Sequence, residues 1–156
     1  KGQVKGTGVT TANDGFVAVV ATDGTMTKLI REGDVLSDVG GSTVAALQMV
    51  DVSPNAGKMA IICSLVGATG DTIAGVNDQV LLRGFTASPG TFDRLMRKGS
   101  IMPGGTKTVS SMVMTDLNVQ GSTGSTAGMS RLVSETGRVC TVVTFSDSDT
   151  GVFVGP

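Results

Sequence analysis

The stretch GTMTKLIREG, Gly24–Gly33, returns without a gap as GTFDRLMRKG, Gly90–Gly99. Five of the ten positions are identical: the framing glycines, Thr25/Thr91, Leu29/Leu95 and Arg31/Arg97. Most of the others exchange like for like. The offset from Gly24 to Gly90 is that of a chain built from copies of one supersecondary unit. Such a unit does not bury its apolar face alone, so copies must stack to make a core.

The match extends outward. Asn13-Asp14 leads into FVAVV, and at nearly the same offset Asn77-Asp78 leads into QVLLRGF. A third echo closes the chain, where Ser148-Asp149-Thr150 leads into GVFVG. Gly57-Lys58 opens MAIICSLVG and Gly137-Arg138 opens VCTVVTF, now at a wider offset. The growth in offset is taken up by QGSTGSTAG at Gln120–Gly128, which holds no apolar residue larger than Ala and reads as a surface loop.

Short Val-, Ile-, Leu- and Thr-rich runs between turn clusters predict strands. They fall at Phe16–Thr22, Met26–Arg31, Val44–Val52, Lys58–Val66, Val80–Thr86, Phe92–Arg97, Val109–Leu117, Ser130–Ser134, Arg138–Phe145 and Gly151–Val154. Asp23-Gly24 is a two-residue hairpin signal, because both central residues tolerate positive φ. Ser88-Pro89-Gly90 stands in its place in the second copy, and Ser53–Gly57 marks another turn. Phe92, Leu95 and Met96 also fall at i, i+3, i+4, the spacing of a short helix. The Asp-Gly turn ahead of the partner copy favours the strand.

The expected fold is all-β and antiparallel, with two four-stranded propeller-blade-like repeats and a leftover C-terminal strand. Unit one covers 1–74, starting with the short tail of a preceding unit; unit two covers 75–147; 148–156 is the first strand of a third.

Composition removes several classes of function. Charged residues make up 16% of the 156, below the usual quarter, with 12 basic and 13 acidic residues interspersed. There is no basic face to draw a phosphate backbone and no Tyr or Trp to stack on bases, so nucleic acid is not an expected partner. No apolar run approaches the length a membrane-spanning helix needs, so no membrane-inserted helix is expected. Histidine is absent, which excludes Ser-His and Cys-His nucleophile pairs and His-containing zinc sites within the chain. Cys63 and Cys140 allow one disulfide at most, and their apolar surroundings favour buried thiols. Lys1 fits a processed terminus or a fragment boundary equally.

GVTTANDGFVAV, TDGTMTKLIREGD, SPNAGKMAIICSLVG and the closing SDTGVFVGP resemble the tandem repeats of an uncharacterised family of bacterial secreted and surface proteins, often of the choice-of-anchor or PEP-CTERM type. The resemblance is closest over Gly8–Gly67 and looser over Ala74–Pro156. It implies a β-propeller-like architecture and a secreted, extracellular or cell-surface location, with no known activity. The second copy departs from it, with Arg97-Lys98-Gly99-Ser100 in place of Arg31-Glu32-Gly33-Asp34.

The recurring polar residues read first as structure. Asn13-Asp14 and Asn77-Asp78 can bond the backbone two residues on and set a strand's leading turn. Arg31 is placed to pair with an Asp of the neighbouring unit. The competing reading is calcium, since Asp147, Asp149 and the Asn-Asp pairs are hard oxygen ligands in loops. No calcium-loop motif is present, and no cofactor is expected. Met102–Thr108 lacks the Gly-Lys-Ser/Thr order of a phosphate loop. The glutamates are Glu32 and Glu135, and the carboxylates lie in or beside turns, so a hydrolytic pair ranks last.

The expected function is therefore a non-enzymatic extracellular structural or assembly protein. Copies would form a homo-oligomer (a filament, ring or surface layer) through β-strand complementation, with Gly151, Val152, Phe153 and Val154 as the assembly strand lacking partners of its own. The alternative is a propeller-type binding module that recognises a protein or glycan through its loops.

Overall fold

A computed structural model describes residues 2–53, 57–67, 70–114 and 132–155. The insertion read at Gln120–Gly128, the ends of the expected strands at Val109–Leu117 and Ser130–Ser134, and the middle of the Ser53–Gly57 turn lie outside the described residues.

The chain is all-β and antiparallel, and the described residues contain no α-helix. Its strands are β1 (Gly2–Gln3), β2 (Gly15–Val20), β3 (Met26–Arg31), β4 (Val35–Leu36), β5 (Ser42–Val52), β6 (Lys58–Val66), β7 (Gln79–Phe85), β8 (Phe92–Arg97), β9 (Val109–Val113), β10 (Val139–Phe145) and β11 (Thr150–Gly155). Phe92–Arg97 is a strand, which resolves the helix alternative. The first hairpin turns through three residues, Thr22-Asp23-Gly24, and not two: Gly24 N–H donates to the Ala21 carbonyl at 3.0 Å, Gly24 alone of the pair Asp23-Gly24 takes positive φ, at +85°, and Asp23 accepts the Thr25 N–H at 2.8 Å. That N–H also holds the Asp23 carboxyl below its ordinary value. The strand expected at Ser130–Ser134 is reduced, within its described part, to a single bridge between Val133 and Val139.

The described residues form three sheets, ordered β1-β2-β3, β4-β5-β6-β7-β8 and β11-β10-β9. The boundary read between 74 and 75 falls between β6 and β7, which are hydrogen-bonded neighbours over seven residue pairs. Strands from both sides of that boundary thus share the middle sheet.

The copies agree pair by pair. In β2–β3 the partners are Phe16↔Arg31, Val17↔Ile30, Ala18↔Lys28, Val19↔Thr27 and Val20↔Met26, with the register shift at Leu29. In β7–β8 they are Val80↔Arg97, Leu81↔Met96, Leu82↔Arg94, Arg83↔Asp93 and Gly84↔Phe92, with the shift at Leu95. The β-bulge sits on the repeated leucine in both. The pairs Cys63↔Val80 and Ile62↔Leu81 of β6–β7 likewise correspond to Val143↔Gly151 and Val142↔Val152 of β10–β11.

The sheets stack in three layers with two cores. Val17, Leu29 and Ile30 of the first sheet pack with Met59, Ile61, Cys63, Val80, Leu82 and Phe92 of the middle one. Ala60, Ile62, Leu81 and Met96, from its other face, pack with Val109, Met112, Val139, Val143, Phe145 and Phe153 of the third. Alternate residues of a strand point to opposite faces, so a sheet covered on both sides needs apolar residues at consecutive positions. Hence β6 is buried without interruption from Met59 to Cys63, whereas β10 alternates between buried and half-buried. Cys63 and Cys140 are not joined by a disulfide. The first lies in the core between sheets one and two, and the second is half-buried on the far face of sheet three.

Candidate functional site

The repeated Arg-x-Gly corner carries the chain from one sheet to the next. After β3, the Gly33 N–H donates to the Val44 carbonyl at 2.8 Å and the Val44 N–H to the Asp34 carbonyl at 2.9 Å. After β8, Gly99 and Val109 repeat this at 2.8 Å, and Val109 and Ser100 at 2.9 Å. Gly33 and Gly99 take φ +90° and +81°, which other residues resist. The arginine of each corner donates its Nε–H to the carbonyl of the leading asparagine: Arg31 to Asn13 at 2.6 Å, Arg97 to Asn77 at 2.8 Å. The asparagine side chains close their own loops, Asn13 accepting from Thr10 N–H and Asn77 from Ile73 N–H.

The Arg–Asp tie expected of Arg31 occurs at Arg97 instead. Arg97 is 4% exposed and meets Asp71 Oδ1 at 2.7 Å and Thr72 Oγ1 at 2.8 Å. Its guanidinium holds the Asp71 carboxyl below the ordinary value. Asn77 donates to the Asp71 carbonyl where Asn13 donates to that of Gly8. Gly8 therefore occupies the acid's place in the first copy, and it has no side chain to offer Arg31.

The corners also differ at their second residue, for a reason invisible in either copy alone. Glu32 is buried, and its carboxylate accepts from Gly15 N–H at 2.8 Å and from Leu47 N–H at 3.2 Å, tying β2 to β5. The second copy has Lys98 there and Gln79 in place of Gly15. Gln79 Oε1 accepts from Met112 N–H at 2.8 Å, and Met112 is the counterpart of Leu47. Lys98 turns instead to Asp78, at 3.0 Å. Gly75 N–H, then Lys98, hold Asp78 below the ordinary carboxylate value. One backbone donor is satisfied in both copies by different side chains.

The calcium candidates hold protein partners. Asp147 and Asp149 both pair with Lys107, which lies 5.7 Å from the centre of the Phe145 ring. The hydrogen bond to Asp147, then that to Asp149, raises the Lys107 pKa, and Lys107 lowers that of Asp147. Among the described residues no three Cys, Asp or Glu side chains gather at a metal-binding spacing. Glu135 accepts from the Ser53 hydroxyl at 2.8 Å. A shallow cleft between residues 35–39 and Leu82, Gly90 and Phe92 has Asp38 as its ionisable side chain.

The expected assembly strand has a partner within its own chain. β11 pairs with β10 over all six residues, and Phe153 is buried in the second core. This corrects the expectation of a strand lacking partners, since β10 supplies a full ladder and the core a socket. Among the described residues no strand pairs with the other edge of β11. The Phe145 N–H donates to the Asp149 carbonyl at 2.8 Å, which sets the alternation of the antiparallel ladder. Thr150, Val152 and Val154 consequently turn their N–H and C=O groups away from β10. The corresponding edge of β7 is the one that holds β8. Val152 and Val154 are 62% and 63% exposed.

Comparisons with family models, curated proteins and solved structures find no match to this chain.

Proposed function

We propose that the chain is a non-enzymatic extracellular structural or assembly protein whose copies join through β-strand complementation into a filament, ring or surface layer. Here the sheets act as propeller-blade-like units, strands three and four of one repeat pairing with strands one and two of the next. The observation that carries the reading is the open edge of β11, which matches in register the edge that β7 gives to β8. An exposed edge with flanking valines is a ready template for a further strand. The extracellular setting rests on the resemblance to secreted tandem-repeat proteins.

Deleting residues 151–156 is a poor test, because it takes Phe153 out of the core. Val154→Pro is cleaner, since its N–H points away from β10 and proline is tolerated at a sheet edge. The variant should keep the far-UV circular dichroism of the parent and lose its oligomers in size-exclusion chromatography and electron micrographs. The same oligomer from folded Val154→Pro would sink the proposal.

A further inference from the structure

The stack of sheets has a direction. Each sheet turns one face forward, toward the next sheet along the chain, and one face back. The forward residues Val17 and Ile30 of sheet one share a core with the rear residues Val80, Leu82 and Phe92 of sheet two. The forward residues Ala60, Ile62 and Leu81 of sheet two share the other core with the rear residues Val143 and Phe153 of sheet three. Corresponding residues recur in the two interfaces: Val17 and Ile30 stand in the first where Leu81 and Met96 stand in the second.

The two halves of such an interface appear once more, uncovered, at the ends of the stack. The forward pair Ile62↔Leu81 becomes Val142↔Val152 in sheet three. Ile62 and Leu81 are 1% and 0% exposed, but Val152 is 62% exposed and its row neighbour Val113 46%. The rear pair Gly84↔Phe92 becomes Val20↔Met26 in sheet one. Phe92 is 7% exposed, whereas Val20 and Met26 are 65% and 59% exposed. One end thus offers Val113, Cys140, Val142, Val152 and Val154, and the other Phe16, Ala18, Val20 and Met26, with Lys28 opposite Ala18 and paired to Asp34 at 2.9 Å. Adjacent apolar side chains on one face mark an interaction surface.

We propose that the forward face of the third sheet docks against the rear face of the first sheet of a second copy, head to tail. The occupant follows from the internal pattern: a forward face of this repeat meets a rear face in both buried interfaces, and the chain's own exposed rear face is on sheet one. The contact is heterologous, so it propagates into a filament or closes into a ring. It rests on the self-association reading in that copies meet, but it places sheet faces in contact where that reading places strand edges.

Sedimentation velocity over a concentration series tests it, using the full chain and two charged variants. Val113→Lys caps the forward face on β9, two strands from the open β11 edge, and Met26→Lys caps the rear face. Both side chains are exposed, so each variant should keep the parent's denaturation midpoint. Each alone should weaken self-association by roughly tenfold or more, because docking would bury an unpaired charge. Mixed in equal amounts they should form one-to-one dimers that grow no further, since each supplies the face the other lacks. Val113→Thr, which keeps the strand and adds no charge, should assemble more strongly than Val113→Lys. Parent-like assembly of Val113→Lys, or a mixture without dimers, overturns the face contact. If Val154→Pro abolishes assembly while Val113→Lys does not, the edge reading stands without it. A monomeric parent overturns both.

Discussion

Glu32 and Gly15 form a coupled pair that the second copy replaces with Lys98 and Gln79, and exchanging the pair should be far gentler than changing either member. Truncating Glu32 to Ala removes the carboxylate from two buried donors, Gly15 N–H at 2.8 Å and Leu47 N–H at 3.2 Å. Hydrogen bonds to a charged group contribute about 1.5–3 kcal/mol each, and backbone relaxation recovers part of the loss, so the cost should be about 3 kcal/mol. In a domain of this size that lowers the melting temperature by roughly 6–12 °C. Gly15→Gln alone should also destabilise, by about 1–3 kcal/mol, through overpacking. A Cβ at Gly15 would lie 2.5 Å from the Glu32 carboxylate. The double variant Gly15→Gln/Glu32→Lys rebuilds the second copy's arrangement. The glutamine amide can reach Leu47 N–H as Gln79 reaches Met112, and the lysine can face Asp14 as Lys98 faces Asp78. It should fall within about 1 kcal/mol of the parent, leaving a large coupling energy in the cycle. Urea denaturation followed by circular dichroism measures all four proteins. A Glu32→Ala cost below about 1 kcal/mol, or a double variant equal to the sum of the singles, would refute the reasoning.

Two further predictions follow from the layering and the charges. Ile62→Ala should cost about 2–5 kcal/mol because both faces of its sheet are covered, while Val142→Ala, at the matching position of the half-buried outer face, should cost less than about 1.5 kcal/mol; equal urea midpoints would contradict the three-layer order. Asp78 has a folded pKa below its ordinary 3.8, so its contribution to stability is present above that value and lost as pH falls through the lower folded one. Asp78→Asn should therefore lose less stability than the parent between neutral pH and the acid side of 3.8, and parallel urea midpoints in the two proteins would rule out this linkage.

Local chemistry made most strand positions legible. Asp23-Gly24 can hardly be anything but a hairpin turn, and the runs MTKLIR and FDRLMR fill β3 and β8 over the expected residues. The short strands β1 and β4 escaped because two residues carry no periodicity. At the candidate site the sequence marked the arginine corner but assigned the cross-unit acid to Arg31. Choosing Arg97 required knowing that Asp71, well upstream in the chain, folds onto it, whereas the asparagine of the first copy reaches back to Gly8, which carries no acid. The exchange of Glu32 for Gln79 was equally hidden, because two side chains at different sequence positions converge on corresponding N–H groups.

The sequence by itself determined the repeat, the strands and the turns, because each depends on neighbours within a few residues: a glycine's positive φ, an Asx side chain, an alternation of apolar and polar positions. Only the tertiary structure decided which strands share a sheet and which faces stay open. Runs as similar as MAIICSL and VCTVVTF have the same local propensity, and their difference lies in what covers them. The first is sealed on both sides by neighbouring sheets, while the second shares its sheet with β11, whose outer-face valines are exposed.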